Sequence, residues 1–131
     1  MAHDFDPARA SLTELCAALR ERSISAVELM NHTLDGLDRT QESLRAVVSR
    51  RPAEALRADA RAAQARLDRG EGRPLEGVPL GVKDLEDADG LVTSYGSKLF
   101  AEHVAESDST QVSRLKAAGA IVVGKTNTPE F

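Results

Sequence analysis

Lys83 is the one cation in the run Leu75-Glu76-Gly77-Val78-Pro79-Leu80-Gly81-Val82-Lys83-Asp84. The residues from Val78 to Val82 predict a strand with the lysine at its end. Apolar surroundings favour a neutral amine over an ammonium. A lysine placed in them can serve as a general base near neutral pH. The same spacing also suits a lysine that extends to water, or one that pairs with Asp84 or Asp87. Both readings stay open on spacing alone.

Other residues with chemical potential are weaker candidates. Ser94 and Ser97 flank Tyr95-Gly96 and could partner a lysine as nucleophiles. No G-x-S-x-G turn surrounds them, so they read as loop residues. The stretch from Gly119 to Thr126 satisfies the phosphate-binding pattern G-x-x-x-x-G-K-[ST]. A phosphate cradle needs a loop between its glycines and a helix after its lysine. Here Ala120-Ile121-Val122-Val123 favour a strand, and Pro129 biases Thr128 away from helical angles. The acids Asp84, Glu86, Asp87 and Asp89 before Gly90 resemble a calcium loop, but the register puts Leu85 and Gly96 at ligand positions. His3, His32 and His103 lack ligand spacing, so no metal site is expected.

The elements that must position Lys83 can be read from caps and periodicity. Residues 1–10 show no period and predict an arm. Ser11-Leu12-Thr13-Glu14 and Ser25-Ala26-Val27-Glu28 are capping boxes. The first opens a helix with Leu12, Leu15, Cys16 and Leu19 at helical spacing; the second puts Val27, Met30, Leu34 and Leu37 on one face. Ala46-Val47-Val48 predicts a short strand. Pro52 suits the first turn of an Ala-rich helix running to Arg69, which Gly70 can end. A loop precedes the strand Val78–Lys83, and an acidic loop, Asp84–Gly90, follows it. Asp108-Ser109-Thr110-Gln111 opens a helix through Val112 and Leu115 that ends at Gly119. Ala120–Val123 predicts a buried strand. Helices alternating with strands predict an α/β layer architecture.

The 131 residues fit one domain or a piece of a larger one. The aromatic residues are Phe5, Tyr95, Phe100 and Phe131, so any core must come from Leu, Val, Ile and Ala. A formal charge of -4 and so few stacking surfaces argue against nucleic-acid binding. The basic stretch 50–73 is broken by Glu54, Asp59, Asp68 and Glu71, as on a solvated helix face. The lone Cys16 cannot form an internal disulfide and reads as a small buried side chain. With no secretory pattern and no long apolar run, a cytoplasmic chain without a membrane span is expected.

From Leu75 to Phe131 the chain is similar to the amidase-signature family. The resemblance rests on Gly77, Pro79, Lys83 and Asp84, then Gly90, Thr93, Gly96 and Ser97. It continues through Asp108, Thr110, Val112, Arg114, Leu115, Ala118-Gly119-Ala120 and Gly124-Lys125-Thr126-Asn127 to Glu130-Phe131. The chain departs from the family pattern at Leu85, Glu86 and Ala105. The resemblance implies a mixed sheet flanked by helices. Residues 1–74 would be a mainly helical N-terminal part, and 75–131 the start of the α/β core of a single amidase domain. It also implies hydrolysis of a carboxylic amide through a Ser–cis-Ser–Lys triad, with Lys83 in the lysine position and no metal or organic cofactor. The partner would be a small-molecule amide substrate; a homo-oligomer is compatible, and no nucleic acid or membrane is implied.

The resemblance places the two triad serines in a Gly/Ser-rich segment after Phe131, so residues 1–131 alone are expected to be inactive. Val78–Val82 and Ala120–Val123 read as strands buried on both faces, so a partial sheet would leave an unpaired edge and apolar faces uncovered, predicting an isolated chain that is marginal, aggregation-prone or paired with something. Three alternatives remain at this level. One is the amidase subunit of a tRNA-dependent amidotransferase, with glutamine as the ammonia source. Another is a non-catalytic binding module or remnant. The third is a small nucleotide-binding protein built on the Gly119–Thr126 pattern.

Overall fold

The computed structural model describes residues 5–131, so His3 and the first four residues of the expected arm lie outside it. Both capping boxes form. In the first helix, α1 (Leu12–Glu21), Ser11 Oγ accepts from Glu14 N at 3.2 Å, and the Glu14 carboxylate accepts from Ser11 N at 2.7 Å. In α2 (Ala26–Leu44) the same exchange joins Ser25 and Glu28 at 3.0 and 2.8 Å. These bonds to the capping serines hold both glutamates below the usual carboxyl range.

A short strand, β1 (Val47–Arg50), leads through Pro52 into α3 (Ala53–Asp68). Leu56, Ala60, Ala63 and Leu67 recur at helical spacing and are buried. They pack with Leu29, Met30 and Leu34 of α2 and with Val78, Ile121 and Val123. The small alanines let α2 and α3 lie close together, which suits a core short of aromatic bulk. Beyond α3 come β2 (Pro79–Lys83), a 3-10 turn (Lys98–Phe100), α4 (Thr110–Ala117) and β3 (Ile121–Thr126).

The three strands form a mixed sheet in the order β1-β3-β2. β3 is antiparallel to β1 and parallel to β2, with α4 in the crossover. β3 is buried from Ile121 to Lys125, as its unbroken apolar run predicts. β2 departs from the expectation of a strand buried on both faces. It lies at an edge of this sheet, and Gly81 and Lys83 are exposed. Its apolar residues serve one face, where Val82 joins Val122, Ala88 and Val112 in a second cluster.

Two register shifts sit beside Lys125. Leu80 pairs with Val122 but Gly81 pairs with Gly124, so Val123 is an extra residue on β3. Opposite, Val47 pairs with Thr126 and Ser49 with Lys125, leaving Val48 extra on β1. At this crossing a Cβ on Gly124 would lie 2.3 Å from Ser49 O and 3.0 Å from Arg50 Cα. Only glycine lets the two backbones approach this closely.

Candidate active-site corner at the end of β2

Successive side chains on a strand point to opposite faces. Val82 is buried, Lys83 is exposed, and Asp84 is buried at 2 %. Asp84 N donates to Thr126 O at 3.0 Å, which carries the parallel ladder one residue beyond β2 and fixes the direction of Asp84. Lys83 therefore stands on the outside of the corner. Among the described residues it has no ion-pair partner.

Of the two readings open for Lys83, the structure shows the one that extends to water, and the enclosed lysine is instead Lys125, the bulkiest fully buried side chain among the described residues. Its Nζ donates to Asp84 Oδ1 at 3.2 Å, Thr93 Oγ1 at 2.9 Å and Val92 O at 3.3 Å. These three acceptors match the three donors of an ammonium. The Asp84 carboxylate also accepts from Ser94 N at 3.1 Å and from the Ser94 hydroxyl. Asp84 O accepts from Tyr95 N at 3.0 Å, so the segment 92–95 is pinned to the end of β2. Val123 belongs to the helix-side cluster and Val122 to the other. The extra residue at Val123 resets the alternation and carries Lys125 to the side of Val82 and the 84–93 loop.

Both candidate serines serve this local framework. Ser94 holds Asp84. Ser97 Oγ donates to Glu130 Oε1 at 2.8 Å and accepts from Leu99 N at 3.4 Å, capping the 3-10 turn. Neither is hydrogen-bonded to Lys83 among the described residues. The phosphate pattern is strand from Ile121 onward with its lysine enclosed, so it forms no anion cradle. No group of three His, Cys, Asp or Glu among the described residues is arranged to hold a metal ion. No described helix is long and apolar enough to cross a membrane.

Two further carboxylates are tied down in the segments before β2 and before α4. Burial pushes Glu76 up, but hydrogen bonds from Arg73 at 2.6 and 3.1 Å, with the charges of Arg73 and Arg66, outweigh it and hold the group below its usual range. Burial likewise raises Asp108, and bonds from Lys116 and Asp89 N outweigh it. A recess of about 260 Å³ over the inner side of the corner is lined by Asp84, Ser94, Val92, Ala101, Val48 and Ser49.

The Lys125–Asp84 pair escapes a reading of the sequence, although a signal for it exists. β2 and β3 both end an apolar run on a lysine, and the acid follows only the first. The parallel register sets Val82 beside Lys125 and Lys83 beside Thr126. The second lysine is thereby placed next to the inward-facing acid.

Known proteins repeat this arrangement of elements. The chain is 48% identical over 122 residues to a glutamyl-tRNA(Gln) amidotransferase subunit from Aromatoleum aromaticum, covering 93% of this chain and 25% of the relative. It thus spans about a quarter of the length of the curated relatives it matches. Among solved structures it is similar to native peptide amidase from Stenotrophomonas maltophilia, with a TM-score of 0.84 and 29% identity over 94% of this chain and 26% of that one. A chain from a vestigial complex linked to the origins of an s-triazine catabolic enzyme matches at 34% identity and a TM-score of 0.84, covering 92% of this chain and 27% of that one. The family model described as Amidase matches residues 28–131, and the chain belongs to the amidase family.

Proposed function

We propose that residues 1–131 are the N-terminal portion of a single amidase domain and contribute the general base of an amide hydrolase, Lys83. The observation that supports this most directly is the position of Lys83. It projects outward at the end of β2 while the acid beside it is committed to another lysine. In this reading the Lys83 amine, acting through a bridging serine hydroxyl, accepts the proton of a second serine as that serine attacks the amide carbonyl. An acyl-enzyme forms, ammonia or an amine leaves with a proton, and water releases the acid. Both serines are supplied outside residues 1–131. The chemistry uses proton transfer and nucleophilic attack and requires no organic cofactor.

A second reading is favoured by the higher identity to amidotransferase subunits, 48% against 29–34% for the two solved structures above. There the amide would be that of glutamine, and the ammonia would pass to a partner-bound substrate. The two readings share the role of Lys83 and differ in the amide.

Ammonia release by the full-length protein from glutamine, short peptide amides and aryl amides tests both. Release that disappears in Lys83→Ala supports the proposal, and the preferred amide separates the two readings. An intact mass near 14.0 kDa from the native source, with no release from any amide, would replace them with a binding module.

A further inference from the structure

Lys83 is followed directly by an acid, an awkward arrangement for a base. An opposite charge within about 4–6 Å favours an ammonium over an amine by roughly tenfold or more. Yet Asp84 points inward, where Lys125, Ser94 N and the Ser94 hydroxyl occupy its carboxylate. Among the described residues the next acids of the loop make no ion pair with Lys83 either. Glu86 accepts from Gln111 on α4 at 3.4 Å, and Oδ1 of Asp87 is enclosed. We propose that Lys125 sequesters the Asp84 carboxylate, so that Lys83 stands without a carboxylate partner and stays able to give up its proton.

Lys125 is suited to this task by its site. It is fully buried and satisfied by Thr93 and Val92 O as well as by Asp84. The Gly124 crossing and the extra Val123 put it on the inner side of the sheet, opposite in phase to Lys83. Removing its charge leaves a buried carboxylate uncompensated, which strongly disfavours the inward position of Asp84. An escape open to Asp84 is to turn toward water at the strand end, where the adjacent residue is the exposed Lys83. Lys125 is thus a positioning residue that acts on Lys83 through Asp84. This inference rests on the proposal that Lys83 is the base.

The test is the rate at which a small acylating reagent labels Lys83 in the full-length protein at one mildly alkaline pH, read by peptide mass spectrometry against Lys98 and Lys116. Only the neutral amine reacts, so the rate reports proton loss without requiring any amide hydrolysis. In Lys125→Met the relative rate at Lys83 is expected to fall about tenfold. In Asp84→Asn/Lys125→Met it is expected to return to the wild-type rate, because residue 84 then carries no charge with which to capture Lys83. An unchanged rate in the folded single variant would overturn the inference. Should that variant not fold, the double variant decides: a tenfold loss there would also overturn it. Undiminished hydrolysis in Lys83→Ala would instead remove the reading of Lys83 as the base, a failure distinct from either labelling result.

Discussion

Lys125 Nζ lies 3.2 Å from Asp84 Oδ1 although 41 residues separate them, and both side chains are withdrawn from water. The pair ties β3 to the loop that leaves β2. Breaking one side of a buried pair costs about 3–5 kcal/mol, whereas replacing both sides can be nearly neutral. Urea unfolding should therefore show a large loss in Lys125→Met and a much smaller one in Asp84→Asn/Lys125→Met. Additive losses would mean that the two residues are not coupled.

Lys83 should behave in the opposite way. Its side chain is exposed and unpaired among the described residues, so Lys83→Ala should change stability by no more than about 0.5 kcal/mol. Amide hydrolysis by the full-length protein should fall by about 10²- to 10⁴-fold if the amine is the general base. Parallel melting curves and ammonia assays of the one variant check both halves of this expectation.

Gly119 joins α4 to β3 at φ 103, where an added Cβ would sit 2.6 Å from Glu76 Cα and 2.8 Å from Glu76 N. Backbone cannot yield as a flexible side chain can. Gly119→Ala should therefore cost more than the roughly 1–3 kcal/mol of the strained backbone alone. Gly70, at φ 70 with nothing within 4 Å, is the control: Gly70→Ala should cost only about 1–2 kcal/mol. Equal losses in urea unfolding would show that the contact with Glu76 contributes nothing.

Glu76 makes stability depend on acid. Its folded carboxyl lies below the ordinary value of 4.5, so the unfolded chain binds the proton more readily. Its contribution is complete above about pH 4.5 and is lost as pH falls through the lower folded value. Glu14, Glu28 and Asp108 shift in the same direction. Glu76→Gln should reduce the slope of stability against pH in this acid window without flattening it. An unchanged slope, followed by denaturation at several pH values, would exclude Glu76 as a contributor.

Tyr95, Phe100, His103 and Phe131 form an edge-to-face and stacked cluster with ring centroids 5.2–6.4 Å apart. Phe131 in this cluster is 71% exposed, and Leu99, next to Phe100 in the chain, is 84% exposed. Expressed alone, residues 1–131 should self-associate through this apolar patch. Light scattering should give a mass that rises with concentration, and Leu99→Glu should lower it. A concentration-independent monomer would count against the expectation.

The helices were legible because their signals are local. Ser11 with Glu14 and Ser25 with Glu28 declare two helix starts within four residues each, and the Ala-rich stretch before Gly70 declares a third helix. The strands were legible from short apolar runs, though β3 reaches Thr126 rather than stopping at Val123. The 3-10 turn at Lys98–Phe100 and the bridge between Val92 and Val104 had no comparable signal. They depend on the loop folding back on itself and on Ser97 meeting Glu130.

By itself, the sequence determined the order of elements, the α/β character and the candidacy of Lys83, since caps, periodicity and motif spacing act over neighbouring residues. Tertiary structure alone decided which of two strand-end lysines is buried. That choice depends on the parallel register of β2 and β3, on the extra residue at Val123, and on the backbone approach that Gly124 permits. Each is a relation between segments distant in the chain. Together they send Asp84 inward to Lys125 and leave Lys83 outside.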